Sequence, residues 1–169
     1  VPFNTVHSYL QRMLDGTQIP GTAGVIEAFI APPDPETEPT PKAYIWGTTG
    51  SEDRMASPRV PENGDISQAG WKEINHLTDV WLAWFSDEES DVRTLDVAFP
   101  AVVDYLAKIL RESPDPVKVS DPLTGMDSEL LDIGERMTMD MYPPRATADQ
   151  RIWRYDAKFQ LVILEVFQS

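Results

Sequence analysis

Val6, Tyr9, Leu10, Met13 and Leu14 recur at i, i+3, i+4, i+7 and i+8, the stripe of an amphipathic helix over residues 5–15. Thr5 reads as its N-cap and Gly16 as its stop. Two short apolar runs follow and read as strands: residues 24–31, with Val25, Ile26, Phe29 and Ile30, and residues 42–48, with Ala43, Tyr44, Ile45 and Trp46. Residues 71–85 give the longest strand signal of the first half, and both faces turn apolar from Val80 to Phe85, as in a strand covered on two sides. Phe99, Val102, Val103, Leu106, Ile109 and Leu110 then hold a 3.6-residue spacing, so residues 96–112 are expected to be a helix with Pro100 in its first turn. Residues 117–120 fit a short edge strand. Residues 128–142 end in an alternation of Met137, Met139 and Met141 with Thr138, Asp140 and Tyr142, which has the period of a strand. The last strand is expected over residues 152–167, with Tyr155, Phe159, Leu161 and Ile163 on one face and Val162, Leu164 and Val166 on the other.

The segments between these elements are of distinct kinds. Residues 32–41 hold five prolines (32, 33, 35, 39, 41) and the acids Asp34, Glu36 and Glu38. That composition excludes a helix or a central strand and predicts an extended, polyproline-like arm. Residues 51–70 are polar and aperiodic and read as a second long loop, and residues 86–91 as an acidic turn. The whole is expected to be one α+β domain over residues 1–169: an antiparallel sheet of long strands, two main helices packed on one face, and long polar or proline-rich loops.

Composition narrows what such a domain does. With 14 Lys and Arg against 28 Asp and Glu, the net charge is -14. Holding duplex DNA or an anionic lipid surface requires cations to neutralise phosphates, so tight binding of either is not expected. The 41% of hydrophobic residues suffices for one core. The absence of cysteine removes disulfides, thiol nucleophiles and every Cys-containing metal site, leaving oxygen as the ligand for any metal. No apolar run approaches the roughly 18 residues of a membrane span, and the amino end (Val-Pro-Phe-Asn) lacks the pattern of an export signal.

Enzyme fingerprints fail in turn: the chain has no nucleophile elbow, phosphate loop, dinucleotide-binding glycines or His-Glu-x-x-His helix. His7 and His76 lie in unrelated segments, and His76, inside a strand, reads as structural. Asp87, Glu88, Glu89 and Asp91 are the only locally dense oxygen donors; they lack the spaced ligands and central glycine of a calcium loop and read as a solvated turn. A small metal-dependent enzyme or binding module built on those acids is the rival reading, and an adaptor that adds a peptide strand to a sheet edge is a third. No cofactor is expected. The alternating methionines read as a strand face packed on a helix. Trp81 and Trp84 fall on opposite faces of one strand, so one side is expected to meet a helix and the other a neighbouring subunit.

The order of elements supplies a resemblance. An amphipathic helix, a strand pair with a long excursion, a long strand from His76 to Phe85 leading into the helix of Phe99 and Arg111, and the terminal run Tyr155-Asp156-Ala157-Lys158-Phe159-Gln160-Leu161-Val162-Ile163-Leu164-Glu165-Val166 together resemble the tail terminator proteins of long-tailed bacteriophages over most of the chain. The arm at 32–41 and the loop at 51–70 depart from that layout. The resemblance implies a non-enzymatic virion protein, assembled in the host cytoplasm. It forms a hexameric ring on the head-proximal end of the tail tube, stops tube polymerisation and meets the neck or head-completion protein, while DNA passes the lumen without specific binding. Another neck or tail-tube ring protein is the nearest alternative. The contacts expected under this resemblance are Pro33, Asp34, Pro35 and Glu36 of the arm, Trp81 and Trp84, the acids Asp87, Glu88 and Glu89, and Pro143, Pro144 and Arg145.

Overall fold

The computed structural model describes residues 2–19, 21, 24–30, 41–55, 71–86, 89–121, 123–146 and 153–168. In chain order the elements are α1 (Pro2–Leu14), β1 (Thr17–Gln18), β2 (Val25–Phe29), β3 (Lys42–Met55), β4 (Trp71–Ser86), α2 (Glu89–Arg111), β5 (Val117–Ser120), β6 (Asp127–Leu131), β7 (Met137–Met141), β8 (Arg145–Ala146) and β9 (Trp153–Gln168). The fold is a strand-rich mixed α and β structure with two helices among the described residues. The strands follow the order β1-β2-β3-β4-β9-β6-β5, with β7 and β8 also paired to β9.

The centre of the sheet is the antiparallel pair β4 and β9, in register from Trp71↔Gln168 to Ser86↔Trp153. Burial alternates along β4 from Ile74 to Leu82 and along β9 from Ala157 to Glu165. Ile74, His76, Thr78, Val80 and Leu82 of β4 and Tyr155, Ala157, Phe159, Leu161 and Ile163 of β9 are buried. The apolar members from Val80 onward join Val6, Leu10 and Leu14 of α1 and Phe99, Val102, Leu106 and Leu110 of α2 in one core. Each fully buried aliphatic or aromatic side chain there contributes about 1.5–3 kcal/mol. The other parity of the same strands carries a smaller cluster, Tyr44, Ala83 and Phe85 with Phe29 and Trp81 against it. Tyr155 ties β9 to α2: its hydroxyl donates to Asp96 Oδ1 at 2.5 Å and its ring tilts against Phe99. Burial first, and then that bond, push the Tyr155 hydroxyl pKa up to about 12.

Several sequence expectations are corrected. The sheet is mixed, because β2 and β3 pair in parallel at Glu27↔Lys42 and Phe29↔Tyr44. Thr5 is a buried residue inside α1 and caps nothing; the helix opens at Pro2, whose fixed φ suits a first helical position. Gly16 ends it as expected, at φ 76, with its N–H on the Ile26 carbonyl at 2.9 Å. β3 runs on to Met55 beside β4, so residues 51–55 are strand where a loop was expected. α2 starts at Glu89, where residues 86–91 were expected to turn. Pro100 consequently lies in the helix interior. The expected strand over 128–142 is two strands, split by a turn with Asp132 at φ 61 and Gly134 at φ 79.

That split shapes one edge of the sheet. β6, β7 and β8 follow one another along the outer side of β9, at Glu129↔Val166, Met137↔Leu161 and Arg145↔Arg154. Between β7 and β8 stand Pro143 and Pro144, which have no N–H for a ladder bond and so break the pairing. Of the arm expected at 32–41, residues 32–40 lie outside the described residues, as do residues 56–70 of the loop expected at 51–70; Pro41 is buried just before β3.

Candidate functional site

The residue pairs of the central strands place a line of side chains on the Trp81 side of the sheet. Tyr44 on β3 lies opposite Trp81 on β4, and Trp81 lies opposite Lys158 on β9. The Tyr44 and Trp81 rings stack with centroids 6.0 Å apart and planes 4° apart; Trp81 and Tyr142 do so at 5.9 Å and 15°. These are spacings at which offset aromatic pairs attract. Tyr142 is held just past β7 by its N–H on the Asp156 carbonyl at 2.9 Å. Lys158 Nζ sits 5.7 Å from the Trp81 centroid, in cation–π range.

Beside this aromatic line lies a charged group built around Asp156, which is almost fully buried. Its carboxylate accepts from Arg154 Nε at 2.7 and 2.9 Å and from Arg145 Nη2 at 2.9 Å. Arg154 also reaches the Tyr44 hydroxyl and lies over the Phe85 ring. Burial raises the Tyr44 hydroxyl pKa, and the Arg154 charge opposes that shift. Between the two groups opens a groove of about 380 Å³, lined by Trp81, Tyr142, Pro143, Pro144, Arg145 and Asp156. An apolar wall with a few fixed polar groups is the general form of a binding groove.

Of the residues expected to make contacts, Trp81, Pro143, Pro144 and Arg145 converge on this groove. Trp84 does not; it packs against the main core on the opposite side. Glu89 opens α2, away from any turn. Pro33, Asp34, Pro35, Glu36, Asp87 and Glu88 lie outside the described residues. Sequence reasoning did not single out Tyr142, Tyr44, Arg154, Asp156 or Lys158. The readable signal was the polar parity of the last strand, in which 154, 156 and 158 alternate with buried positions. The methionines also differ from expectation: Met137 packs on the core, whereas Met139 and Met141 are exposed, because α2 packs over β4 and β9 and the β7 edge extends past it.

A second polar cluster is buried on the core side. His76 Nε2 lies 2.8 Å from Glu165 Oε2, and Ser128 Oγ donates to Glu165 Oε1 at 2.7 Å. His7 of α1 is near enough that, after burial, the His76 charge helps hold its pKa below the usual value. The arrangement does not suit nucleophilic catalysis: Ser128 donates its hydrogen bond to the carboxylate, and the imidazole is engaged by that carboxylate rather than by the serine.

Carboxylates also gather where the sequence reading did not look. Oxygens of Asp115, Asp132 and Glu135 lie within 4.8 Å of one another, while Arg136 stands 3.9 Å from Asp132. Asp115 and Glu135 are exposed and the arginine offsets part of the charge, so water and salt screen the group well. Millimolar calcium or magnesium is therefore expected to leave the thermal midpoint unchanged in a melting titration; a rise that saturates with ion concentration would reveal a site.

Comparison with protein-family models and with curated proteins finds no match to this chain. Among the described residues no helix is long and apolar enough to cross a membrane.

Proposed function

We propose that this chain is a ring-forming virion protein of the tail terminator kind, which closes the head-proximal end of a phage tail tube and joins it to the neck. The observation that carries this reading is the Trp81 side of the sheet. Besides the aromatic line, the strand pairings put Val25, Trp46 and Leu77 on that side, all of them exposed. Exposed apolar and aromatic side chains gathered on one face mark a surface that another protein covers. The reading takes α1 and α2 as a single layer on the Val80 side, which their shared core supports. The long strands β4 and β9 then act as the rigid plate that offers its other face to a neighbour.

Closure into a ring is the economical use of such a face, because a head-to-tail contact that closes leaves no apolar surface exposed. The net charge of -14 is then repeated in each subunit, and a lumen of that sign repels phosphate and lets DNA pass without sticking. No catalytic role is part of this proposal, and the partners it names are the tail-tube protein, the neck or head-completion protein and further copies of the chain.

Native mass measurement and projection images, taken on the chain alone and mixed with tail-tube protein, test the proposal. A six-fold ring is expected, free or on the tube end. Trp46→Ser is expected to reduce the ring population while leaving the melting midpoint nearly unchanged, as substitutions at exposed positions do. A chain that stays monomeric under both conditions would sink the reading.

A further inference from the structure

We propose that the turn between β5 and β6 docks, through Leu123 and Met126, into the groove of Trp81, Tyr142, Pro143 and Pro144 on a second copy of this chain. The turn is tightly bonded. Asp121 donates its N–H to the Met126 carbonyl and accepts the Gly125 N–H on its own carbonyl, both at 2.8 Å. Its carboxylate Oδ1 takes the Leu123 N–H at 2.8 Å, and the Met126 N–H reaches Thr124 Oγ1 at 3.3 Å. Gly125 makes the reversal at φ 68, where an L-residue is strained. These bonds fix the backbone, yet the side chains point outward: Leu123 is 73% exposed and Met126 52%. A lone exposed leucine is ordinary on a surface. Two large apolar side chains held outward by a bonded turn are a preorganised knob, which loses little freedom on docking.

The groove matches that knob in apolar character and in charge. Trp81, Tyr142, Pro143 and Pro144 wall most of its 380 Å³, and both prolines are exposed. At one end Arg145 and Arg154 stand against the single buried carboxylate of Asp156, and the Arg145 side chain is 67% exposed. Asp79 and Asp140 lie at or beyond the level of Trp81, away from that end. Next to Met126, Asp127 is exposed and takes the Ser120 hydroxyl on one oxygen, Oδ1, at 2.5 Å. With Met126 on the rings, the Asp127 carboxylate meets the Arg145 guanidinium, and the planar geometry of that pair sets the orientation of the knob.

Strand register assigns the knob to another copy. Ser120 pairs with Asp127 and Glu129 with Val166, so Asp127 stands level with Gln168 and the turn projects past that end of β9. The groove lies toward the other end, with Trp81 opposite Lys158 and Arg145 opposite Arg154. Gln168 and Lys158 are ten residues apart on one strand, or ~33 Å at about 3.3 Å each. The turn also points away from the groove, because β6 runs from it toward Leu131 and Leu164. A turn held in that ladder cannot fold back onto its own groove. A second copy satisfies both surfaces at once, and a contact between unlike surfaces repeats head to tail. The pairwise contact stands without the function proposed above; its closure into a ring rests on that reading.

The chain has no cysteine, so introduced cysteines report the contact. Leu123→Cys and Pro144→Cys variants, checked for parental melting midpoints and mixed under mild oxidant, are expected to form a mixed disulfide dimer. Val97→Cys, on an exposed position of α2, is expected to form none with Pro144→Cys. Both cysteines placed in one chain should link it into dimers and longer oligomers; a chain cross-linked within itself would overturn the proposal. Sedimentation gives the strength of the contact. The parent is expected to self-associate, more weakly as salt rises. Leu123→Ser with Met126→Ser should weaken that association about tenfold or more, as when an anchor is removed, and leave the melting midpoint nearly unchanged. A parent chain that stays monomeric would overturn the proposal. So would an association that the serine variant leaves unchanged, a result that spares the tail terminator reading. Association that depends on Leu123 and Met126 but gives no six-fold ring would leave this contact standing and count against that reading.

Discussion

Gly134→Ala is expected to destabilise the protein by about 2–5 kcal/mol, from two sources that act together. Gly134 has φ +79, where an L-residue costs roughly 1–2 kcal/mol. A Cβ built there would lie 2.7 Å from the Leu110 carbonyl carbon and 3.0 Å from Arg111 Cα, and would overlap the Leu110 oxygen. All three atoms are backbone of the last turn of α2, so no side chain can swing aside, and the turn or the helix end must shift at an overpacking cost of roughly 1–3 kcal/mol. For a chain of this size that is about 10 °C in midpoint, at ~2–4 °C per kcal/mol. Gly125→Ala is the control: φ is +68 with nothing within 4 Å, so only the backbone cost of ~1–2 kcal/mol applies. Equal midpoints for the two variants in thermal melts would refute this account. The effect reaches the groove as well, because residues 132–136 set where β7 starts, and β7 delivers Tyr142, Pro143 and Pro144 to Trp81.

What could be read from the sequence was whatever depended on one strand or one helix at a time. β4 and β9 were legible because their side chains alternate over many residues, and a period of two leaves little choice of which face is buried. The far half of β3 was not, since Thr49 to Arg54 carry no apolar alternation. Those residues are strand because β4 offers a hydrogen-bonding edge, a property of the partner and not of the segment. The first turns of α2 were misread for a related reason: a run of consecutive acids has the composition of a solvated turn.

The groove was half visible. Trp81 drew notice as a large aromatic on a face opposite Trp84, and Pro143-Pro144-Arg145 as an abrupt break after a strand. Their meeting depends on the register of β7 against β9, fixed by a turn that hides inside what looked like one continuous strand. The buried pair was harder still. His76 and Glu165 are 89 positions apart, and the trace left in the sequence is a carboxylate at a core-facing position of the run Leu161-Val162-Ile163-Leu164-Glu165-Val166. Position 165 shares its parity with Leu161 and Ile163, so a charge there had to be buried and had to be paired.

That requirement leads to a second large effect. Glu165→Leu is expected to cost about 3–5 kcal/mol, because it strands the imidazole of fully buried His76 and the hydroxyl of Ser128 together. Glu165→Gln keeps oxygen and shape and is expected to cost only about 1–2 kcal/mol, the difference between a charged and a neutral acceptor. His76→Leu alone should also be severe, since it takes from the buried Glu165 carboxylate the imidazole that lies 2.8 Å away. The discriminating variant removes the whole cluster, as His76→Leu, Ser128→Ala and Glu165→Leu together. If the cluster is a satisfied polar island, deleting all of it recovers much of the loss, because burying the groups in water-free surroundings was costly from the start. Denaturant melts of the triple variant and of His76→Leu, Ser128→Ala and Glu165→Leu singly give the coupling directly. A strongly non-additive cycle with little net change for the triple variant would mean that these side chains confer register on β4, β9 and β6 rather than net stability. Additive losses would mean instead that the three groups act separately, and the interpretation of them as one unit would fail.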